Sequence, residues 1–160
     1  MTFSGCLIYN KTFVMRFLLL LIFNVCLLHM ADAQLTKVLH QTFDVDSVDR
    51  IAINLVGKYE IEKWAGNNIL TETKIEIYDT TPGIFKYFVE EKRRYDIVAE
   101  ISNMTATLFS NDPERRTIKN KETNKECYEF VKVKIFVPQE FNTDDPANLF
   151  RTTTEVQNNK

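Results

Sequence analysis

From Arg50 to Tyr78 the chain reads RIAINLVGKYEIEKWAGNNILTETKIEIY, and its alternation limits the possible folds more than any other feature. Ile51, Ile53, Leu55, Tyr59 and Ile61 hold odd positions, with Arg50, Asn54, Lys58, Glu60 and Glu62 between them. Ile69, Thr71, Thr73, Ile75 and Ile77 repeat the pattern against Glu72, Lys74 and Glu76. A period of two sends neighbouring side chains to opposite faces, so each run is a strand with one apolar and one solvated face. Trp64-Ala65-Gly66-Asn67-Asn68 separates the runs, and Gly and Asn tolerate the positive φ of a tight turn. The two runs are therefore expected to pair as a hairpin, with Glu60 opposite Lys74 and Lys58 opposite Glu76.

The same reading extends along the chain. A strand is expected around Val38 to Val45, then Asp44, Asp46 and Asp49 form an acidic turn. That turn lacks the central Gly and distal Glu of a calcium loop, so a solvated connection is the better reading. Thr81 and Pro82 form an N-cap and first helical position, and Ile84, Phe85, Phe88 and Val89 share one helical face. One short helix is expected there, ending near Lys92. Strand pattern returns from Tyr95 to Ile101 and from Met104 to Phe109. Ser110 to Glu126 has 17 residues with Ile118 as the one apolar side chain, and reads as a mobile loop. Cys127 to Val137 is a strong strand with Val131, Val133, Ile135 and Val137 on one side, and Pro138 stops it. The fold class is mainly β, an antiparallel sheet of sandwich or solenoid type with one short helix. One domain is expected over 34–141, with 142–160 as a polar, disordered tail.

Residues 1–33 have another purpose. Met15-Arg16 precedes an apolar run of 12 residues, Phe17 to Leu28, and then Ala31-Asp32-Ala33. A positive start, a short apolar core and a small-x-small site make a secretory signal helix, cleaved after Ala33. A membrane span needs about 20 apolar residues, so no stable span is expected after cleavage. Translation starts either at Met15 or at Met1 with an extended n-region. The mature chain of 160 − 33 = 127 residues keeps 18 Lys+Arg and 21 Asp+Glu, a net charge of 18 − 21 = −3. Such a balance does not suit a nucleic-acid partner. Cys127 is the one mature cysteine, so no internal disulfide helps the core.

Catalytic patterns are scarce. His40 and Cys127 are the single mature histidine and cysteine, too few for a structural zinc site and placed on different strands. No catalytic residue, metal ligand or cofactor site is assigned. Glu60, Glu62, Glu72 and Glu76 read as the solvated face of strands. Trp64 is either an exposed contact residue or a lid folded over the sheet. Asn103-Met104-Thr105 is a glycosylation sequon, meaningful in a eukaryotic secretory pathway.

Phe43-x-Val45, Val48, Ile51-x-Ile53, Gly57-x-Tyr59-x-Ile61, Trp64-x-Gly66-Asn67 and Ile75-x-Ile77 form a spaced set. Arg94-Tyr95-Asp96 and Ile135-Phe136-Val137-Pro138 extend it. The set resembles exported bacterial proteins, chiefly of Bacteroidetes, of the autotransporter-adhesin head GIN domain type, over about Phe43 to Phe141. The resemblance implies an exported all-β domain with no known catalytic residues, working in the periplasm, outer envelope or extracellular space. The expected function is non-enzymatic surface contact. The alternatives are a small β-barrel carrier of an apolar ligand and, ranked last, a carboxylate hydrolase. In relatives of that type further β-repeats follow the last strand, so Cys127 to Val137 is expected at an open edge. A protein partner, or self-association, would use that edge, with Trp64, Val131, Val133 and Ile135 as contact residues.

Overall fold

The computed structural model describes Arg16 and residues 34–121 and 123–152. The expected signal segment, residues 1–33, otherwise lies outside the described residues, as do positions 153–160 of the expected tail. The elements are β1 (Leu35–Phe43), β2 (Arg50–Asn54), β3 (Tyr59–Trp64), β4 (Ile69–Tyr78), α1 (Pro82–Lys86), β5 (Ile97–Ser102), β6 (Thr105–Ser110), β7 (Ile118–Lys119), β8 (Glu126–Pro138), β9 (Phe141–Asn142) and β10 (Asn148–Arg151). The fold is mainly β with one short helix, as the alternation predicts. Strands form two sheets, ordered β1-β4-β8-β3 with β7 also on β8, and β5-β6-β2-β10-β9. Most ladders are antiparallel, but β3 with β8 and β2 with β6 run parallel.

The odd positions of β4 face inward: Ile69, Thr71, Thr73, Ile75 and Ile77 are all buried. Val133, Ile135 and Val137 of β8 join Ile51 and Ile53 of β2, Ala106 and Leu108 of β6 and Leu149 of β10 in the main core. This cluster has 13 buried side chains drawn from both sheets, so the two inner faces pack on each other as a sandwich. Burying a side chain of Ile or Leu size contributes about 1.5–3 kcal/mol. Gln41 fastens one side of the sandwich. Its Oε1 accepts from the Ile97 backbone N–H at 2.8 Å and its Nε2 donates to the Ile97 carbonyl at 3.0 Å, tying β1 to β5.

A second core lies under the helix. Thr81 Oγ1 accepts from the Ile84 N–H at 3.3 Å, Pro82 opens α1, and a π-helical turn (Tyr87–Glu91) continues it. Ile84, Phe85, Phe88 and Val89 pack on Ile75, Ile77, Tyr95, Ile118 and Cys127. Thus the lone apolar residue of the long polar loop is an anchor: Ile118 is buried and pairs with Cys127 in β7.

Four expectations need correction. Strands β3 and β4 do not pair as a hairpin, because β8 is inserted between them. Glu60 lies opposite Lys134, and Lys134 opposite Glu72. Non-local pairing puts Lys134 where the hairpin register put Lys74, and its ammonium group bonds Glu62 of β3. Second, β8 is not the sheet's edge: β4 covers one side and β3 covers the other from Val133 onward. Third, the chain beyond 141 is structured as far as Arg151, since Leu149 is fully buried and Arg151 donates to the carbonyls of Val48 and Val45 at 2.9 and 2.7 Å. Fourth, Gly66 is not needed for positive φ, which among the described glycines is confined to Gly57 at 93°. A Cβ on Gly66 would instead overlap the indole of Trp64.

Candidate functional site

The outer face of the first sheet holds the exposed chemistry, and it is built from the even positions of β4 and β8 and their partners. One end is aromatic. Tyr128 and Phe130 are 60% and 59% exposed, and the Phe130 ring meets Tyr78 edge-on at 5.5 Å between centroids. Tyr78 stands opposite Tyr128, and Glu76 opposite Phe130. Large apolar side chains on a surface usually have a use when they cluster.

A belt of charge crosses the middle of this face. His40, Glu72, Lys134 and Glu60 follow one another across four strands. Lys134 Nζ donates to Glu62 at 2.8 Å, and that bond raises the Lys134 pKa, with Glu60 and Glu72 adding to it. Lys74 pairs with Glu76 at 2.6 Å, a bond that lowers the Glu76 carboxyl. Lys58 and Lys132 form no ion pair among the described residues. The far end of the face carries Trp64 and Phe136, 6.3 Å apart.

Between these bands β8 has an incomplete neighbour. Residues 128–132 pair with β4 alone, because β3 begins at Tyr59 opposite Val133 and β7 reaches only to Cys127. A hollow of about 530 Å3 lies there, lined by Lys58, Tyr59, Phe130, Val131 and Lys132 among others. A second hollow of about 480 Å3, walled by Arg115 and Thr117, lies along Cys127, Tyr128, Glu129 and Val131.

The inner side of the same stretch is held by buried charge. Arg94 is nearly buried, and its Nη2 donates to the Arg116 carbonyl at 2.7 Å and to Glu129 Oε1 at 3.1 Å. Tyr95 Oη donates to Glu129 Oε2 at 2.8 Å. Burial, then the bond to Glu129, raises the Tyr95 pKa far above its ordinary value, while burial lowers that of the Arg115 guanidinium. Through Arg94 these contacts tie the polar loop to β8. Sequence reasoning missed them. The signal was Arg94-Tyr95-Asp96, a cation and an aromatic directly after the helix, but nothing local names Glu129 as their partner.

The contact residues expected from the sequence are dispersed. Val133 and Ile135 are buried in the main core and cannot touch a partner. Their alternation marked an inward face and not an exposed one. Val131 is half-buried and lines both hollows. Trp64 is half-buried on the outer face, its Nε1 donating to the Asn68 carbonyl at 2.9 Å, so it folds over its own turn. His40 faces Glu72 at 3.5 Å, whereas Cys127 is buried beyond the other end of β4, its Sγ against the Asp79 carbonyl at 3.4 Å. The structure does not bring that pair together. Among the described residues no three of His, Cys, Asp and Glu form a metal-holding group.

The chain matches no family model, no curated protein and no solved structure.

Proposed function

We propose that this is an exported β-sandwich module that acts by surface contact through the outer face of its first sheet. The observation that carries the reading is the exposed aromatic group, Tyr128 and Phe130 against Tyr78, beside a strand that lacks one neighbour. Export is supported by the pattern from Met15 to Ala33. Among the described residues no helix is long and apolar enough to cross a membrane. The resemblance to adhesin-type envelope proteins agrees with contact as the role. The carrier alternative needs room between the sheets, and that space holds 13 buried side chains.

Fractionation of cells expressing the full chain tests the proposal. The product should begin at Gln34, and part of it should remain bound to the envelope fraction. Tyr128→Ser combined with Phe130→Ser should release that part several-fold while leaving thermal stability nearly unchanged, as exposed positions allow. A product still holding Phe17 to Leu28, or a double variant bound as well as the parent, would overturn the reading.

A further inference from the structure

We propose that the recessed edge of β8, from Tyr128 to Lys132, receives an extended acidic segment of a partner protein as an added β-strand. This deepens the contact reading above and rests on it. Five consecutive residues pair with β4 alone, so the N–H and C=O groups on their other side have no ladder partner, and both hollows adjoin them. A single strand laid 4.7–4.9 Å away would complete their ladder, over a length of about 17 Å.

The shape of the recess selects the occupant. At one end β3 stands a full strand further out, and at the other Arg115 and Thr117 wall the hollow. An isolated strand can descend between them. A second copy of this chain would bring a whole sheet behind its edge and meet those walls first. Both hollows lie along the same stretch and share Val131, so alternate side chains of an incoming strand have room on either face.

Charge selects the composition. Four lysines (Lys58, Lys74, Lys132 and Lys134) line the larger hollow; Lys74 and Lys134 are already paired with Glu76 and Glu62, which leaves Lys58 and Lys132 to meet an incoming carboxylate. Among the described residues neither Lys58 nor Lys132 is within ion-pair distance of a carboxylate, although Lys132 lies near enough to Glu76 to help lower its pKa. Phe130 and Val131 add an apolar floor. A strand alternating carboxylates with branched apolar residues meets each of these demands.

Amide hydrogen exchange on the secreted protein, with three synthetic heptapeptides as probes, tests the proposal. One alternates valine with glutamate, one alternates valine with lysine, and one is the glutamate peptide with proline at its centre. In the free protein the outward amides of residues 128–132 should exchange rapidly. The glutamate peptide should slow them at least tenfold, and the lysine and proline peptides should not. Lys58→Glu with Lys132→Glu should weaken the glutamate peptide by about tenfold, as two reversed exposed charges allow. Protection before any peptide is added, equal protection by the lysine peptide, or a dimer in sedimentation that buries this edge would overturn the proposal. If the glutamate peptide gives no protection yet Tyr128→Ser with Phe130→Ser still releases the protein from the envelope, this inference fails and the contact reading stands. Retention by that double variant removes both.

Discussion

From Val133 to Phe136, β8 has β4 on one side and β3 on the other, whereas from Tyr128 to Lys132 it has β4 alone. Both halves alternate, and both place their odd residues inward. In the first half that places Val133 and Ile135 in the main core at almost no exposure. In the second it leaves Val131 half-buried and sends Glu129 to a buried tyrosine and arginine. The difference lies in the neighbours and not in the strand. Periodicity fixes which face a side chain takes, but the number of paired sides depends on segments far away in the chain.

Truncating the closed half should have the largest effect. Ile135→Ala removes a fully buried side chain and should cost about 2–5 kcal/mol in urea denaturation. Val131→Ala, the matching change in the open half, should cost clearly less, because the hollow beside it leaves room for water. Equal losses would mean that the two halves are packed alike, and the comparison would break.

Gly66→Val acts at the far end of the closed half, where Trp64 of β3 meets Pro138. The new side chain must displace the indole, an overpacking cost of about 1–3 kcal/mol. Trp64 is the single tryptophan, so its emission reports the displacement directly. Unchanged emission and stability would show that the ring does not rest on Gly66.

The smallest expected effect concerns the inner side of the open half. Tyr95→Phe removes the bond to Glu129 and should cost about 0.5–1.5 kcal/mol at neutral pH. The folded pKa of Tyr95 is raised above its ordinary 10.0. The contribution is therefore full below pH about 10, and is lost as pH rises further, because the unfolded chain ionises first. The stability difference between parent and variant should shrink above that pH. A constant difference from neutral to strongly alkaline pH would mean that Tyr95 titrates like an exposed tyrosine.

Most inward positions were legible in the sequence, and most partnerships were not. Ile69 to Ile77, Val131 to Val137 and the helical face from Ile84 to Val89 are local patterns, and each packs as its period requires. The hairpin of β3 with β4 is replaced by two ladders to β8, whose Lys134 lies more than 60 positions downstream of both Glu60 and Glu72, and no local pattern announces that partner. Leu149 and Ile118 are isolated apolar residues in polar segments, and no local period marks either as buried. Burial of a single residue can anchor a segment whose other side chains stay wet. The candidate site is half visible: of the contact residues expected on strand 127–137, Val131 lines the hollows, whereas Val133 and Ile135 belong to the core.

The insertion of β8 between β3 and β4 also has a consequence in time. On a growing chain, β1 and β4 can meet early, but β3 has no partner in its sheet until residues 133–138 exist. The first sheet closes only when nearly all of the domain has been made, and its ladders join segments far apart along the chain. Such topologies fold slowly, because loop closure must precede the contacts that reward it. The order of strands along the chain thus keeps the first sheet open until its last central strand arrives.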